Sequence, residues 1–182
     1  MTPIPVPTPE QVSPENRALF DALAQRVGFV PNLYASFAHS PSALATYLAL
    51  QSAPSTLPLR AREAVNLAVS EVNGCRYCLA AHTAMARGAG FDDVQILALR
   101  RGSAPFDARL DALARLAREL ARQRGALDRT HVQRFLDAGW THAQLVDTVV
   151  LVGDKTISNL LHAVTQAPID FPLAPPLDES AR

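Results

Sequence analysis

The chain has 182 residues, 48% of them hydrophobic, and its seventeen basic residues balance its seventeen acidic ones. This length fits a single domain that buries roughly 70% of the surface exposed by its unfolded form, so no disulfide is needed for stability. A zero net charge without a basic, aromatic-interleaved stretch argues against nucleic-acid binding. The sequence shows neither a signal peptide nor an apolar window long enough for a membrane span, so we expect a soluble, cytoplasmic protein without membrane contacts.

Proline-rich segments mark both ends of the chain. Residues 1–14 contain five prolines and residues 167–182 contain four. Because proline fixes φ and removes a backbone donor, neither segment is expected to form a helix or a central strand. We therefore expect one domain, 1–182, with an extended arm over 1–14 that is ordered only if it lies on a neighbour. We expect this arm to be followed by a helical core over 15–166 and by an extended tail over 167–182.

Apolar residues at helical spacing predict helices through the whole core. Caps, prolines and glycines place their ends. The predicted helices run from Pro14 to Gly28, through Leu33 and Phe37, from Pro41 through Leu48, from a cap at Ser55 or Thr56 to about Asn73, from Cys75 to about Gly90, from Asp92 or Asp93 through Leu99, from Asp107 to Gly125, from Asp128 or Thr130 to Gly139, and from Thr141 to about Gln166. No stretch alternates as a strand would, so the fold class is all-α.

Two helical segments resemble each other at an offset of 80 residues. The stretch from Leu79 to His82 falls on Asn159 to His162, and the second stretch has lysine and serine where the first has its cysteines. This pattern is typical of a degenerate internal helical repeat that keeps the scaffold and loses the chemistry. Chance similarity between two apolar helices is an equally good explanation.

The chemistry of the chain is concentrated around its two cysteines. Cys75 and Cys78 stand three residues apart, and His82 follows four residues later. Because positions i and i+4 of a helix share a face, the imidazole of His82 can take a proton from Cys78. Gly74 separates two helical runs, which places both cysteines in the first turn of the second helix. The free backbone N–H groups and positive dipole end there favour a thiolate.

A carboxylate is expected to orient His82 and stabilise its protonated form. Two antiparallel helices joined at Gly74 would bring Glu63 back toward the cysteines, whereas Glu71 is expected to point to solvent. An exposed, ionised Cys78 would then attack an electrophile such as a peroxide and become a sulfenic acid. Cys75 would condense with it to a disulfide, and a dithiol reductant would reset the pair.

Two other interpretations of the cysteines stay open. One is a zinc site formed by Cys75, Cys78, His82 and a fourth ligand, although no second ligand pair stands at a recognisable spacing. The other is a pair of inert core cysteines. The remaining histidines are expected at the surface or in caps, with His162 of most interest; they are His39, His131, His142 and His162.

The stretch from Ser70 to Thr83, with Glu63 before it, resembles the carboxymuconolactone decarboxylase-like superfamily. Within it, the sequence is most similar to the alkyl hydroperoxidase D-like, peroxidase-related proteins, loosely over residues 31–172. The resemblance implies an all-α helical bundle, assembly into trimers or hexamers, and thiol-dependent peroxidase activity. It makes Cys78 the peroxide-reactive cysteine, Cys75 the resolving cysteine, His82 the base and Glu63 the proton-relay carboxylate.

The sequence departs from this family at one position of the motif. The best-known peroxidase of the family has a second histidine inside the CxxC, where this chain has Tyr77. The decarboxylase branch lacks this CxxC, so lactone decarboxylation fits the chain poorly.

The sequence as a whole therefore predicts a homo-oligomeric thiol peroxidase without cofactor or metal. It would reduce small alkyl hydroperoxides and be reset by a dithiol or protein reductant. The alternatives are a thiol–disulfide oxidoreductase and a non-catalytic, redox-sensing oligomeric module.

Overall fold

A computed structural model describes residues 4–124 and 126–177 of the chain. Over these residues it contains no β-strand, which confirms the all-α prediction. A short 3₁₀ turn at Pro9–Gln11 precedes helices α1 (Pro14–Val27), α2 (Asn32–Phe37), α3 (Ala43–Ser52), α4 (Leu59–Val72), α5 (Arg76–Gly88), α6 (Asp93–Arg100), α7 (Ala108–Gln123), α8 (Arg129–Asp137) and α9 (His142–Thr165). None of the helices in this part of the chain is both long and apolar enough to cross a membrane.

Side chains cap most helices where the sequence predicts. Helices α1, α6, α7, α8 and α9 begin behind capping residues whose side chains accept backbone hydrogen bonds, namely Ser13, Asp92, Asp107, Asp128 and Thr141. Gly125, the expected end of α7, lies outside the described residues. Capping thus fixes the ends of these helices locally.

The predicted cap of α4 is wrong. This helix begins at Leu59 behind Pro58, without a side-chain cap. Thr56 instead donates to Asp147 of α9 through its backbone N–H at 2.6 Å and its hydroxyl at 2.7 Å, and Ser55 donates to the same carboxylate. A contact distant in sequence therefore takes the residues that would otherwise have capped the helix.

Helix α4 lies at the centre of the fold. It packs against α5, α6, α7 and α9, and every residue from Glu63 to Ser70 is buried. A helix that is buried on all sides is usually apolar throughout. The polar residues Glu63, Asn66 and Ser70 in its interior are therefore costly unless they are paired, and two of them belong to the site described below.

The turn between α4 and α5 forms as the sequence predicts. Gly74 has φ +64°, a left-handed conformation that glycine adopts without strain. The N–H of Cys75 donates to the carbonyl of Ser70 at 3.0 Å, which closes the end of α4. Helix α5 then starts with Cys75 as its N-cap residue. The hairpin thus places both cysteines at a helix N-terminus.

The amino-terminal arm packs against its own chain, whereas the sequence predicts that it is ordered only on a neighbouring molecule. Ile4 donates its N–H to the carbonyl of Thr165 at 3.0 Å, and His39 Nε2 lies 2.9 Å from the carbonyl of Pro5. The arm also contains the 3₁₀ turn, so it is not extended throughout. Residues 1–3 lie outside the described part.

The carboxy-terminal tail, predicted as extended over 167–182, is non-helical over residues 167–177 and folds back over the start of α2; residues 178–182 lie outside the described part. Asp170 accepts a hydrogen bond from the Asn32 N–H at 2.6 Å, and Arg100 donates to the carbonyl of Pro175 at 2.6 Å. These contacts bring Phe171 against Tyr77, with ring centroids 5.7 Å apart. The tail thereby covers one side of the CxxC hairpin.

The similarity at an offset of 80 residues does not extend to the hairpin. Asn73 and Gly74 correspond to Gly153 and Asp154, through which α9 runs without a break. The offset nevertheless aligns Ser158 with Cys78, and their side chains meet, with the sulfur 3.9 Å from the Ser158 hydroxyl.

Candidate active site

The two cysteines touch at the start of α5. Their sulfur atoms lie 2.8 Å apart as free thiols, with Cys75 donating to Cys78. Cys75 Sγ also accepts a hydrogen bond from the Cys78 N–H at 3.3 Å. The CxxC spacing therefore brings the two thiols into direct contact, and it gives Cys78 the accepting position that a thiolate requires.

Cys78 is not exposed, contrary to the expectation from the sequence. Both cysteines are only 3% exposed, because α9 and the tail cover the start of α5. Cys78 instead lines a cavity of about 390 Å³, together with Glu63 and His82. The structure thus brings three of the four predicted site residues to one cavity wall, and the fourth, Cys75, lies behind Cys78.

The cavity walls are mainly apolar and include a few polar groups. The apolar part includes Val27, Leu33, Leu48, Leu59, Leu151 and Phe171, and the polar part includes Arg62, Asn66, Asp154, Lys155 and Ser158. Small-molecule sites in proteins commonly have volumes of roughly 300–1,000 Å³. The cavity is therefore large enough for an organic molecule and is not limited to water or hydrogen peroxide.

Glu63 pairs with His82, as predicted. Its Oε2 lies 2.9 Å from His82 Nδ1, and the two residues are 5% and 8% exposed. The rival carboxylate of Glu71 pairs instead with Arg100 Nε at 2.8 Å. Of these two carboxylates, Glu63 is therefore the one placed to hold the imidazole and to stabilise its cation.

The carboxyl group of Glu63 stays ionised despite its burial. Burial raises its pKa, but the charge and hydrogen bond of His82 lower it, and Lys155 and the amide of Asn66 add to this effect. The net result is a pKa below the usual value. The site thus holds a buried, paired carboxylate next to the imidazole.

His82 does not hydrogen-bond Cys78 directly. Over the described residues, Cys78 Sγ has side-chain partners in Cys75 Sγ and Ser158 Oγ. The predicted proton transfer between Cys78 and His82 therefore requires a molecule in the cavity as a bridge.

The contact with Cys75 makes Cys78 an acidic thiol. The hydrogen bond from Cys75 is the largest cause that lowers the pKa of Cys78 to about 6; burial opposes it, and the charges of Lys155 and His82 add to it. The same hydrogen bond, together with burial, raises the pKa of Cys75. The lowered pKa of Cys78 favours its thiolate at pH 7. The pair therefore contains one nucleophile and one protonated thiol.

Sequence reasoning missed Lys155 as part of this site. It is only 3% exposed on α9 and lies close enough to Cys78 and Glu63 for its charge to act on both. The sequence does contain a pattern that indicates a polar, buried face on α9, since Lys155 and other polar residues interrupt its apolar run at helical spacing. Those residues, Thr148, Ser158, Asn159 and His162, are buried on the same helix.

The side chains named for the alternative zinc site, Cys75, Cys78 and His82, are not arranged as metal ligands. Within residues 4–124 and 126–177, no group of three or more His, Cys, Asp or Glu side chains is arranged as metal ligands. His82, which that site requires, turns its Nδ1 to Glu63.

His162 is buried, contrary to the expectation of a surface position; its Nε2 lies 3.2 Å from the carbonyl of Ala167.

We expect the alkylation of Cys78 to depend on pH with a midpoint near 6. Only the thiolate reacts with iodoacetamide, so the rate should fall as the pH drops through the lowered pKa and reach a plateau above about pH 7. Peptide mass mapping of the reduced protein, alkylated between pH 4.5 and 9, gives this profile. A midpoint near the ordinary thiol pKa of about 8.5 would contradict the activation of Cys78.

Cys75→Ala is the matched control for that profile. It removes the hydrogen bond that contributes most to the acidity of Cys78, and it leaves Lys155 and His82 in place. The midpoint for Cys78 is therefore expected to rise toward the ordinary value. An unchanged midpoint would assign the acidity to the charged neighbours.

Comparison with known proteins agrees with the fold. Residues 36–122, which include Glu63 and the CxxC, match the family model described as Carboxymuconolactone decarboxylase family. No curated protein matches the chain in sequence.

Several solved structures share the fold over almost the whole chain. An uncharacterized peroxidase-related protein from Silicibacter sp. TM1040 is 24% identical with a TM-score of 0.78, covering 91% of this chain and 88% of its own. An uncharacterized peroxidase-related protein from Ralstonia eutropha JMP134, described as an alkylhydroperoxidase AhpD core, is 21% identical with a TM-score of 0.82. The match covers 93% of this chain and 94% of that protein.

A third similar structure carries a different activity in its name. A variant of the debrominase Bmp8, in complex with 2,3,4-tribromopyrrole, is 15% identical with a TM-score of 0.75, covering 93% of this chain and 92% of its own. At these identities the structures establish a shared fold and not a shared reaction. Residues 36–122 are thus similar to the carboxymuconolactone decarboxylase family, and the chain shares the alkylhydroperoxidase D-like fold of these structures.

Proposed function

We propose that this chain is a thiol-dependent peroxidase that reduces organic hydroperoxides through a dithiol–disulfide cycle of Cys78 and Cys75. One observation carries the proposal. The acidic thiol of Cys78 lines a cavity of organic-molecule size and contacts a second, protonated thiol at 2.8 Å.

The reaction follows from the different protonation of the two thiols. The Cys78 thiolate attacks the terminal oxygen of the hydroperoxide, the O–O bond breaks, and an alcohol leaves after protonation. Cys75 then attacks the resulting sulfenic acid, water leaves, and a disulfide forms. Glu63 and His82 supply a buried acid–base pair at the same cavity wall, through which protons reach or leave the reacting groups.

The burial of the cysteines limits which reductants can reach them and which of the alternative functions fit the site. Both cysteines are 3% exposed, so a folded protein cannot bring its own disulfide to Cys78 without a rearrangement. This favours a slender dithiol as the reductant, in keeping with a reducing, cytoplasmic location, and it disfavours exchange with protein disulfides. The names of the similar structures include both peroxidase-related proteins and a debrominase, so the choice rests on the site and not on the fold.

The proposal is tested by turnover with cumene hydroperoxide and dithiothreitol. We expect peroxide consumption over many cycles, at a rate proportional to the concentration of the chain and absent from the Cys78→Ser variant. A rate equal to that of dithiothreitol alone would refute the peroxidase. Reduction of a small model disulfide would then separate a thiol–disulfide oxidoreductase from a redox sensor.

The partner expected from the sequence is a second copy of the chain, and the outer face of α9 supports this part of the proposal. This face carries an exposed apolar stripe at spacings of three, four and seven residues, formed by Val146, Val149, Val150, Ile157, Leu160 and Val164. From Val146 to Val164 it runs about 27 Å along the helix. A stripe of this kind without charge is typical of helices that pack against their own copies.

We expect the double substitution Val149→Asp, Leu160→Asp to reduce the oligomer to monomers. Both side chains are more than half exposed, so aspartate disturbs the interface and not the core. Light scattering coupled to sizing measures the mass. Val94→Asp, at an even more exposed valine of α6, is the matched control and should leave the mass unchanged. A monomeric unmodified chain at micromolar concentration would contradict the proposed assembly.

A further inference from the structure

The ammonium group of Lys155 lacks a close partner at the cavity wall. The residue is 3% exposed, and its contact with Asp154 is 4.0 Å long, beyond the range of a hydrogen bond. The described hydrogen bonds include none from Lys155 Nζ. A buried cation is stable only when its donors find acceptors. Lys155 thus has donors available for a molecule in the cavity.

Asn66 supplies an unpaired acceptor at the same wall. It is 5% exposed; its Nδ2 donates to Glu63 Oε1 at 3.2 Å, and its buried Oδ1 has no partner among the described residues. The carboxylate of Glu63 can only accept, which fixes the orientation of the amide. The oxygen of Asn66 is therefore left without a protein donor, although the residue lines the cavity.

The two groups match the hydrogen-bonding pattern of a hydroperoxide. A hydroperoxide has one O–H donor and two acceptor oxygens, while Lys155 offers donors and Asn66 an acceptor. Lys155 and Cys78 line the same cavity, and the charge of Lys155 contributes to the lowered pKa of Cys78. Arg62 Nε is also unpartnered at this wall, but a guanidinium cannot release a proton at ordinary pH.

We propose that Lys155 and Asn66 bind the hydroperoxide group beside Cys78, and that Lys155 is a catalytic acid. This inference rests on the proposed peroxidase function. Asn66 Oδ1 accepts from the terminal O–H, whose oxygen Cys78 attacks, and Lys155 donates to the oxygen that carries the organic group.

The chemistry balances with the groups of the site. A sulfur–oxygen bond forms, the O–O bond breaks, and the leaving alkoxide takes a proton from the Lys155 ammonium to give an alcohol. Sulfur is oxidised to the sulfenic acid and the peroxide is reduced. Lys155, now a neutral amine, recovers its proton from solvent before the next turnover.

Two peroxides with different leaving groups test the role of Lys155. tert-Butyl hydroperoxide releases an alkoxide that needs a proton, whereas peracetic acid releases acetate, which needs none. For Lys155→Met, we expect a loss of about 10²–10⁴-fold in single-turnover rate with tert-butyl hydroperoxide. With peracetic acid the loss should stay within about threefold after correction for the thiolate fraction, which iodoacetamide alkylation measures independently.

Lys155→Arg is the second variant. It keeps the charge near Cys78 and cannot release a proton, so it should show the same selective loss with an unchanged alkylation profile. If circular dichroism shows that Lys155→Met does not fold, Lys155→Arg alone tests whether Lys155 is the acid.

Asn66→Ala should raise KM for both peroxides, because both carry the terminal O–H. An unchanged KM would mean that Asn66 does not bind the peroxide.

The outcomes separate this inference from the function on which it rests. If the unmodified chain reacts with neither peroxide faster than free cysteine does, the peroxidase itself is refuted. If it reacts with both, and the Lys155 variants lose the two reactions equally or lose neither, Lys155 is not the acid.

Discussion

Cys78→Ser is expected to abolish peroxide consumption, whereas Cys75→Ser should complete one turnover and stop at the sulfenic acid. Cys78 lines the cavity and has its pKa lowered to about 6, while the pKa of Cys75 is raised. Without Cys78 no nucleophile faces the peroxide. Without the Cys75 thiol the O–O bond still breaks, but no disulfide can form.

Stopped-flow peroxide consumption and intact mass measure both variants. The Cys75→Ser protein should gain about 16 Da, the mass of one oxygen, and should bind dimedone, a reagent for sulfenic acids. The serine hydroxyl can still donate to Cys78, so the first step stays fast. The opposite pattern would exchange the roles of the two cysteines, and equal loss without a trappable sulfenic acid would refute the cycle.

Glu63→Gln is expected to lower the single-turnover rate with cumene hydroperoxide by about 10²-fold at pH 7, the lower range for acid–base catalysis. The amide has nearly the same shape as the carboxylate, but it carries no charge to stabilise a protonated His82. Both side chains are almost fully buried, so the uncharged amide leaves a protonated His82 without its paired carboxylate.

The same substitution changes how stability depends on pH. The carboxyl pKa of Glu63 is lower in the folded chain than in the unfolded one, so its ionised form stabilises the fold above the unfolded pKa. This contribution is lost as the pH falls through the folded value. Hydrogen bonds to charged groups are worth about 1.5–3 kcal/mol, and Glu63→Gln should cost near the lower end because the amide can still hydrogen-bond His82.

Glu71→Gln is the matched control, on the same helix. Glu71 pairs with Arg100, away from His82, so its loss should affect stability and leave the peroxide rate per folded chain within about twofold. Chemical unfolding between pH 3 and 8 and stopped-flow rates distinguish the two variants. Equal rate losses in both would mean that the Glu63–His82 pair has no specific role.

The parts of the site that depend on local sequence were predictable. Gly74 marks the turn, the spacing of Cys75, Cys78 and His82 sets their helical register, and an antiparallel return brings Glu63 to His82. Each of these steps involves residues within about twenty positions of one another. Their geometry therefore follows from helix periodicity and from one glycine.

The parts that depend on distant contacts were not predictable. The burial of Cys78 comes from α9 and from a tail about ninety residues away, whose Phe171 lines the cavity. Thr56 likewise donates to Asp147 instead of capping α4, because α9 packs beside it although it is distant in the sequence. Lys155 was aligned with Cys75 by the offset of 80 residues, but only the packing of α9 against α5 places it at the cavity.

Rapid mixing of the pre-reduced chain with cumene hydroperoxide, followed by thiol counting and intact mass, shows whether a peroxide oxidises the cysteine pair to a disulfide. We predict a fast loss of two thiols and a mass lower by about 2 Da, the signature of a Cys75–Cys78 disulfide formed by the peroxide. A reaction no faster than that of free cysteine, with both thiols retained, would contradict the account and leave the cysteines to disulfide exchange or to redox sensing.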